Sequence, residues 1–204
     1  MEFEEKKIKI KNAVDKNIRM NILKFHTGNF DLGLKYIKDN DKLLDFGCGI
    51  GYFFDYLIKK KKRKNVEYVG YDTARYKENY DFPFYTDLKK IKDKFDIITM
   101  FQVIEHIKLE EMDKLLDWIK EHLKEDGMLI ITTDNIENPF IIFWQNRAHV
   151  QPYSLWTLKE MMLIKGFNIV RGSKEYLSKN PFKLLFGLLT QSDLHSRILV
   201  VVKR

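Results

Sequence analysis

The chain has 204 residues, 45% hydrophobic and 32% charged, a balance that suits one soluble globular domain and excludes a low-complexity or disordered protein. Its single cysteine, Cys48, excludes an internal disulfide framework and a cysteine-based zinc site, and no apolar run approaches the ~20 residues of a membrane-spanning helix. The formal net charge of +7 permits an anionic partner without requiring one, because basic residues are spread among acids and no aromatic stacking pattern accompanies them.

The first residues, MEFEEKKIKIKN, are charged and contain no apolar h-region, so no signal peptide is expected. A cytoplasmic, reducing location fits the lone thiol. Residues 12–38 show helical apolar spacing through Ile18, Ile22 and Phe25, then Leu34 and Ile37. A break at Thr27-Gly28-Asn29 is expected to divide them into two helices, which makes residues 1–39 a helical cap on a single domain. Lys42–Phe46 is too short for a helix and reads as a buried strand. Tyr52–Lys62 reads as a helix, and the basic run Lys59–Lys64 lies at its end, where the macrodipole favours cations.

Val66–Tyr71, Phe84–Thr86 and Phe95–Phe101 read as the second, third and fourth strands. Lys108–Lys124 is an amphipathic helix through Leu109, Met112, Leu115, Leu116, Ile119 and Leu123. Asp126-Gly127 turns it into a fifth strand, Met128–Thr133. The aromatic stretch Phe140–Trp144 is either core or the wall of a ligand site. Ser154–Lys165 is a helix that Gly166 ends, and Phe167–Gly172 and Arg197–Lys203 are the last two strands. No crossover helix of ordinary length lies between these two, so they are expected to pair antiparallel. The intervening 176–196 forms a flap, in which Phe182–Leu189 reads as core, as a lid, or as a patch resting on a membrane surface. Strand–helix alternation predicts an α/β fold: a seven-stranded, mostly parallel sheet with helices on both faces and an antiparallel last strand.

Ligands of such sheets sit beyond the carboxyl ends of the strands. Here the first strand ends in Asp45 and Gly47-Cys48-Gly49-Ile50-Gly51, the second in Asp72, the third in Asp87, and the fourth in Gln102-Val103-Ile104-Glu105-His106. The glycine pattern is G-x-G-x-G. The dinucleotide fingerprint G-x-G-x-x-G needs a glycine where Tyr52 stands, which disfavours a dehydrogenase. An acid two residues before the first glycine repels a pyrophosphate and suits a ligand carrying positive charge. Asp72 follows about 20 residues on, where an acid commonly holds ribose hydroxyls.

LLDFGCGIGYF resembles the first motif, D-x-G-x-G-x-G, of the class I S-adenosylmethionine-dependent methyltransferases. YVGYD, YTDLKKI, FDIITMFQVIEHI and LKEDGMLIITT resemble the motifs that follow, and HVQPYSLWTLKEMMLIKGFNIV is similar to the late helix and strand of the small-molecule, O-methyltransferase-like branch. The resemblance runs in order and spacing over roughly residues 40–203 and implies a Rossmann-like fold with S-adenosylmethionine as cofactor. It makes 40–135 the cofactor-binding half and 136–204 the substrate side. It implies that Asp45 helps place the amino acid part, with the backbone of Phe46, Gly47, Cys48, Gly49 and Gly51 close by. Asp72 and Thr73 then serve the ribose, Asp87 and Leu88 the adenine, and Phe101 and Gln102 the sulfonium end. The connection TARYKENYDF, after Asp72, has room for one turn where many relatives have a full helix.

Methyl transfer to a hydroxyl needs a base. The candidates are His149, Glu105, His106 and Tyr153; Glu105-His106 also has a plain structural reading. Some quinone-precursor and small-RNA O-methyltransferases carry E-x-x-E-H at this point and bind a divalent cation with it, but here Gln102 replaces the first Glu, so no metal site is expected. The expected activity is methyl transfer, at oxygen, to a small-molecule or a lipid- or sugar-linked acceptor. An RNA methyltransferase is not favoured, since no appended nucleic-acid-binding module is visible. A non-catalytic, cofactor-binding partner subunit is the remaining alternative.

Overall fold

Seven runs rich in aliphatic and aromatic residues pair into one sheet in the computed structural model, which describes residues 27–63, 65–139, 144, 146–175 and 195–204. The strands are β1 (Lys42–Phe46), β2 (Glu67–Tyr71), β3 (Phe84–Tyr85), β4 (Phe95–Phe101), β5 (Leu123–Asp134), β6 (Asn168–Glu175) and β7 (Arg197–Lys203), in the order β3-β2-β1-β4-β5-β7-β6. The first five run parallel. β7 is antiparallel to both β5 and β6, and its pairing with β6 is the one expected from the sequence.

Neighbouring residues of one strand serve opposite faces, so the central strands are buried on both sides. Leu44, Ile98, Leu129 and Val200 face Met112, Leu116 and Ile119 of α3 (Leu109–His122) and Leu158 and Met162 of α4 (Leu155–Ile164). Leu43, Ile97, Ile130 and Val201 face the other layer, where Phe30 of helical residues 27–34 (α1) packs near Phe53, Tyr56 and Leu57. These last belong to α2, which starts as α-helix at Tyr52–Phe54 and continues as a π-helical turn over Asp55–Lys60. Ser154 caps α4, its hydroxyl accepting from the Thr157 N–H at 3.1 Å.

Several boundaries differ from expectation. Thr27-Gly28-Asn29, the expected break, is helical and opens the described helix 27–34; the residues before it lie outside the described ones. Asn29 and Phe30 are buried, and packing outweighs the weak helix propensity of Gly28. The chain turns instead after Leu34. α3 stops at His122 and Leu123 already opens β5, because Leu123 pairs with Phe95 across an irregularity in the β4–β5 ladder. Pairing with β7 carries β6 on to Glu175, three residues beyond its expected end at Gly172. The apolar spacing of Ile18, Ile22 and Phe25, most of Phe140–Trp144 and the stretch Phe182–Leu189 lie outside the described residues. No described helix is long and apolar enough to cross a membrane.

At the carboxyl edge, the register pairs Asp134 of β5 with Arg197 of β7, and the two form an ion pair in which Arg197 is buried and Asp134 partly so. Arg197 also donates to the Ser196 carbonyl at 3.1 Å. Removing one partner strands the other charge away from water. Arg197→Ala should therefore lower the unfolding free energy by about 3–5 kcal/mol in urea titrations. Adding Asp134→Asn should recover part of that loss; no recovery would mean that the charge of Asp134 is not what the arginine balances.

Candidate functional site

The loop after β1 is clipped to the end of β2. The N–H groups of Gly47 and Cys48 both donate to the Tyr71 carbonyl, at 2.8 and 3.0 Å. Gly47 adopts φ +80°, and a Cβ there would lie 2.4 Å from Val103, so both the turn and the close packing require glycine. Gly49 follows at φ +53° and donates to Asp72 Oδ2 at 2.9 Å. A Cβ on Gly49 would meet nothing within 4 Å among the described residues.

Two cavities meet at this loop. The larger, 570 Å³, is lined by Phe46, Asp72, Thr73, Tyr76 and His106 together with Gly47 and Gln102. The smaller, 170 Å³, is lined by Asp45, Cys48, Gly49 and Phe101 and again by Gly47 and Gln102. A groove of 410 Å³ continues from the larger one past Ile107, Leu88 and Trp118. Sequence-predicted residues from three loops thus line one continuous depression. Two do not. Gly51 lies under the Phe82 ring, which a Cβ there would approach to 2.9 Å. Asp87 caps the 3-10 turn Leu88–Lys90, accepting from the Lys89 N–H at 3.0 Å.

Asp45 is buried, and each of its oxygens has a protein donor: the Tyr68 hydroxyl on Oδ2 and the Thr99 hydroxyl on Oδ1 at 2.8 Å. Burial pushes its carboxyl up to about 6 against the pull of those two bonds. Burial also raises the Cys48 thiol, with Asp45 and Asp72 adding to the effect, so this cysteine is an uncharged wall residue. Asp72 accepts from the Ala74 N–H at 3.3 Å besides Gly49.

A second group of side chains stands beyond Gln102. The 3-10 turn Ile104–His106 buries Glu105 completely while leaving His106 exposed. The Glu105 carbonyl accepts from the N–H groups of Val150 and Gln151 at 2.8 and 3.2 Å, and His106 Nδ1 lies 2.9 Å from the Ala148 carbonyl. These bonds draw the loop that carries His149 against the turn. The rings of His106 and His149 meet edge to face at 4.8 Å, and the ligand atoms of Glu105, His106 and His149 lie within 4.8 Å of one another, a spacing that could hold a cation between them. Glu105 Oε2 accepts from the Thr133 hydroxyl at 3.0 Å; Oε1 and the Tyr153 hydroxyl are buried with no hydrogen-bond partner among the described residues. Burial raises the Glu105 carboxyl to about 7, with Asp134 adding to the rise and Arg197 opposing it. Burial and the charge of Glu105 raise Tyr153 to about 12.

Sequence reasoning overlooked three features here. Gln102 adopts φ +58°, a left-handed conformation that costs energy for a side chain with a Cβ. Its amide, oriented to suit its neighbours, donates to Asp134 at 3.2 Å and accepts from the Thr133 N–H at 3.3 Å. No local signal marks this. The partners of Asp45, Tyr68 and Thr99, were also missed, since only the parallel register brings them alongside. Tyr76 and Tyr80 carried the one available signal, aromatic residues spaced among cations in a connection too short for a helix.

The family described as a methyltransferase domain matches residues 23–171. The chain is 28% identical over 109 residues to (S)-coclaurine N-methyltransferase of Papaver somniferum; the match spans 47% of this chain and only 30% of that relative's length. Among solved structures, a SAM dependent methyltransferase from Archaeoglobus fulgidus superposes with TM-score 0.68 at 19% identity, covering 99% of this chain and 98% of that one. Phosphoethanolamine N-methyltransferase 2 of Haemonchus contortus, in complex with S-adenosyl-L-methionine, gives 0.64 at 16% identity over 87% of this chain and 52% of its own. At such identities the structural likeness establishes the fold alone.

Glu105 makes stability depend on pH with a definite sign. Its folded value of about 7 lies above the ordinary 4.5, so the folded state holds a proton that the unfolded chain releases between those two values. Stability is full below the lower value and is lost as pH rises through the upper one. Glu105→Gln should leave urea stability unchanged at pH 5 and raise it at pH 8.5 by on the order of 3 kcal/mol. An equal effect at both pH values would show that the buried carboxylate is not the source.

Proposed function

The chain belongs to the methyltransferase-domain family and has the class I fold of its S-adenosylmethionine-dependent members; from that premise we propose that it methylates an oxygen of a small-molecule or a lipid- or sugar-linked acceptor, with His149 as base. The residues present fit the cofactor. The joined cavities offer a long compartment beside Asp72 for a nucleoside and a short one above Asp45 and Gly49 for an amino acid. Bound there, S-adenosylmethionine supplies a methyl group on a positively charged sulfur.

The chain's own part is binding, orientation and charge. Asp72 would accept from the ribose hydroxyls, with Thr73 beside it. Asp87 would accept from the adenine amine, with Leu88 and Ile107 against the ring. The open backbone of Phe46, Gly47, Cys48 and Gly49 would let the amino acid end approach. Asp45, held by Tyr68 and Thr99, is mostly ionised at neutral pH, and its negative field under the short compartment would favour a cationic ligand. Phe101 and Gln102, at the junction, would flank the sulfur.

The observation that carries the oxygen reading is the cluster of Glu105, His106 and His149 against the wall that His106 and Ala148 lend to the larger cavity. A sugar or phenol hydroxyl must lose a proton as it attacks, and a neutral imidazole accepts one at physiological pH. Glu105 would hold the imidazolium that results. Leu109, Trp144 and Val150 are exposed on the segments that carry the two histidines, and such an apolar rim suits an acceptor with an apolar body. A nitrogen acceptor is the second reading, favoured by the identity to the coclaurine enzyme; the same imidazole would then take the ammonium proton after transfer.

Asp72→Ala should weaken binding of S-adenosylhomocysteine by about tenfold or more in calorimetry, because the hydroxyls lose a charged acceptor worth roughly 1.5–3 kcal/mol. Unchanged affinity would sink the ribose assignment. Acceptors are screened as phenols, sugars and amines. His149→Ala should lower turnover on a hydroxyl acceptor roughly 10²–10⁴-fold while leaving homocysteine-analogue affinity within about twofold. Turnover confined to amines would establish the second reading, and wild-type turnover of the variant on hydroxyls would remove His149 as base.

A further inference from the structure

The segment from Asp72 to Pro83 replaces a helix with a ladder of aromatic and basic side chains. The Tyr80 ring stacks on Phe84 at 4.1 Å with 5° between planes. Lys77 lies 4.6 Å above Tyr80, and the Arg75 guanidinium lies 4.9 Å from Phe84 and 5.8 Å from Tyr80. Cations over aromatic faces are attracted by the ring quadrupole, so the segment has internal cohesion without helical hydrogen bonds. Phe82 anchors its far end. That ring fills the space beside two glycines: a Cβ would come within 2.4 Å of it from Gly70 and 2.9 Å from Gly51.

Both ends of the segment reach the same glycine. Asp72 accepts from the Gly49 N–H at 2.9 Å, and the Tyr80 hydroxyl donates to the Gly49 carbonyl at 2.9 Å. The Tyr76 N–H in turn donates to the Tyr80 oxygen at 3.3 Å, and Tyr76 lines the larger cavity. Gly49 has no side chain to hold it, so hydrogen bonds fix the peptide planes on either side of it: the Gly51 N–H donates to the Cys48 carbonyl at 2.9 Å and the Cys48 thiol to the Gly49 carbonyl at 3.9 Å, while Asp72 and the Tyr80 hydroxyl tie the same two planes to the segment after β2.

We propose that Tyr80 is a positioning residue for the cofactor: through Gly49 it holds the glycine loop and Asp72 in the geometry that binds the ligand. This rests on the cofactor reading above. The ring is placed by Phe84, Lys77 and Arg75, so Tyr80→Phe keeps the ring where it is and removes only the two bonds of the hydroxyl, to the Gly49 carbonyl and from the Tyr76 N–H. Its contribution is preorganisation, since a loop already fixed loses less freedom when the ligand arrives.

The test is calorimetry with S-adenosylhomocysteine on the full chain, as wild type, Tyr80→Phe, Asp72→Asn and the double variant. Tyr80→Phe should bind about tenfold more weakly with its melting temperature unchanged. In the Asp72→Asn background the same change should cost less than twofold, because the charged acceptor it orients is gone. Unchanged affinity in Tyr80→Phe overturns the proposal, and so does an equal loss in both backgrounds, which would mean that Tyr80 acts independently of Gly49 and Asp72. A wild-type chain that fails to bind would overturn the cofactor reading itself, and with it the role of Tyr80.

Discussion

Everything at the carboxyl edge depends on one carbonyl. Tyr71, the last residue of β2, accepts from two successive N–H groups of the loop that leaves β1. Those bonds turn the chain before α2 and hold the glycines against the second strand. They are made only if Gly47 lies in the left-handed region with nothing on its Cα, because Val103, in the loop after β4, occupies that space. Three strand ends are thus packed around a residue with no side chain. A larger residue at Gly47 would displace the loops after β1 and β4 together, and with them the walls of both cavities.

Around this point the molecule carries features that no stability argument would select. Asp45 and Glu105 are both buried carboxyls with raised proton affinity, one on either side of Gln102, which itself sits at an unfavourable φ. Glu105 Oε1 and the Tyr153 hydroxyl are buried with no hydrogen-bond partner among the described residues. Such features persist where surrounding structure over-determines them. Here the surroundings are the central strands and the Asp134–Arg197 pair, whose aspartate also takes the Gln102 amide. The strain is therefore held from behind the sheet edge, by β5 and β7, and expressed in front of it, between the two cavities.

The layout of the fold was legible because burial on both faces makes strands read as short apolar runs, and β1 and β7 have the boundaries read from sequence. Antiparallel pairing of β6 and β7 was legible because the sequence between them offers no stretch that reads as a crossover helix of ordinary length. What could not be read was whatever depends on register. Tyr68 and Thr99 meet Asp45 only because β2 and β4 flank β1 at particular offsets, and no spacing along the chain encodes that. The same holds for His106. Its neighbour Glu105 could be singled out as an acid after a strand, but the pairing of His106 with His149 depends on two backbone bonds to the Glu105 carbonyl. Local helix preference was a poor guide for a different reason: at Gly28-Asn29 it is weak, and burial of Asn29 and Phe30 keeps these residues helical.

The segment between β2 and β3 shows how a short connection can do the work of a longer one. A helix would satisfy its own backbone and present one face to the pocket. Twelve residues of bends cannot, so the segment from Asp72 to Pro83 must find its bonds elsewhere. It finds them in the glycine loop, at Gly49, and in its own stacked side chains. The consequence is coupling. With a helix in that place, pocket wall and glycine loop would be separate structures with separate stabilities. With the clasp, the wall residue Tyr76, the hydroxyl of Tyr80, the peptide of Gly49 and the carboxylate of Asp72 form one hydrogen-bonded chain. Loosening any member loosens the floor on which a ligand would rest.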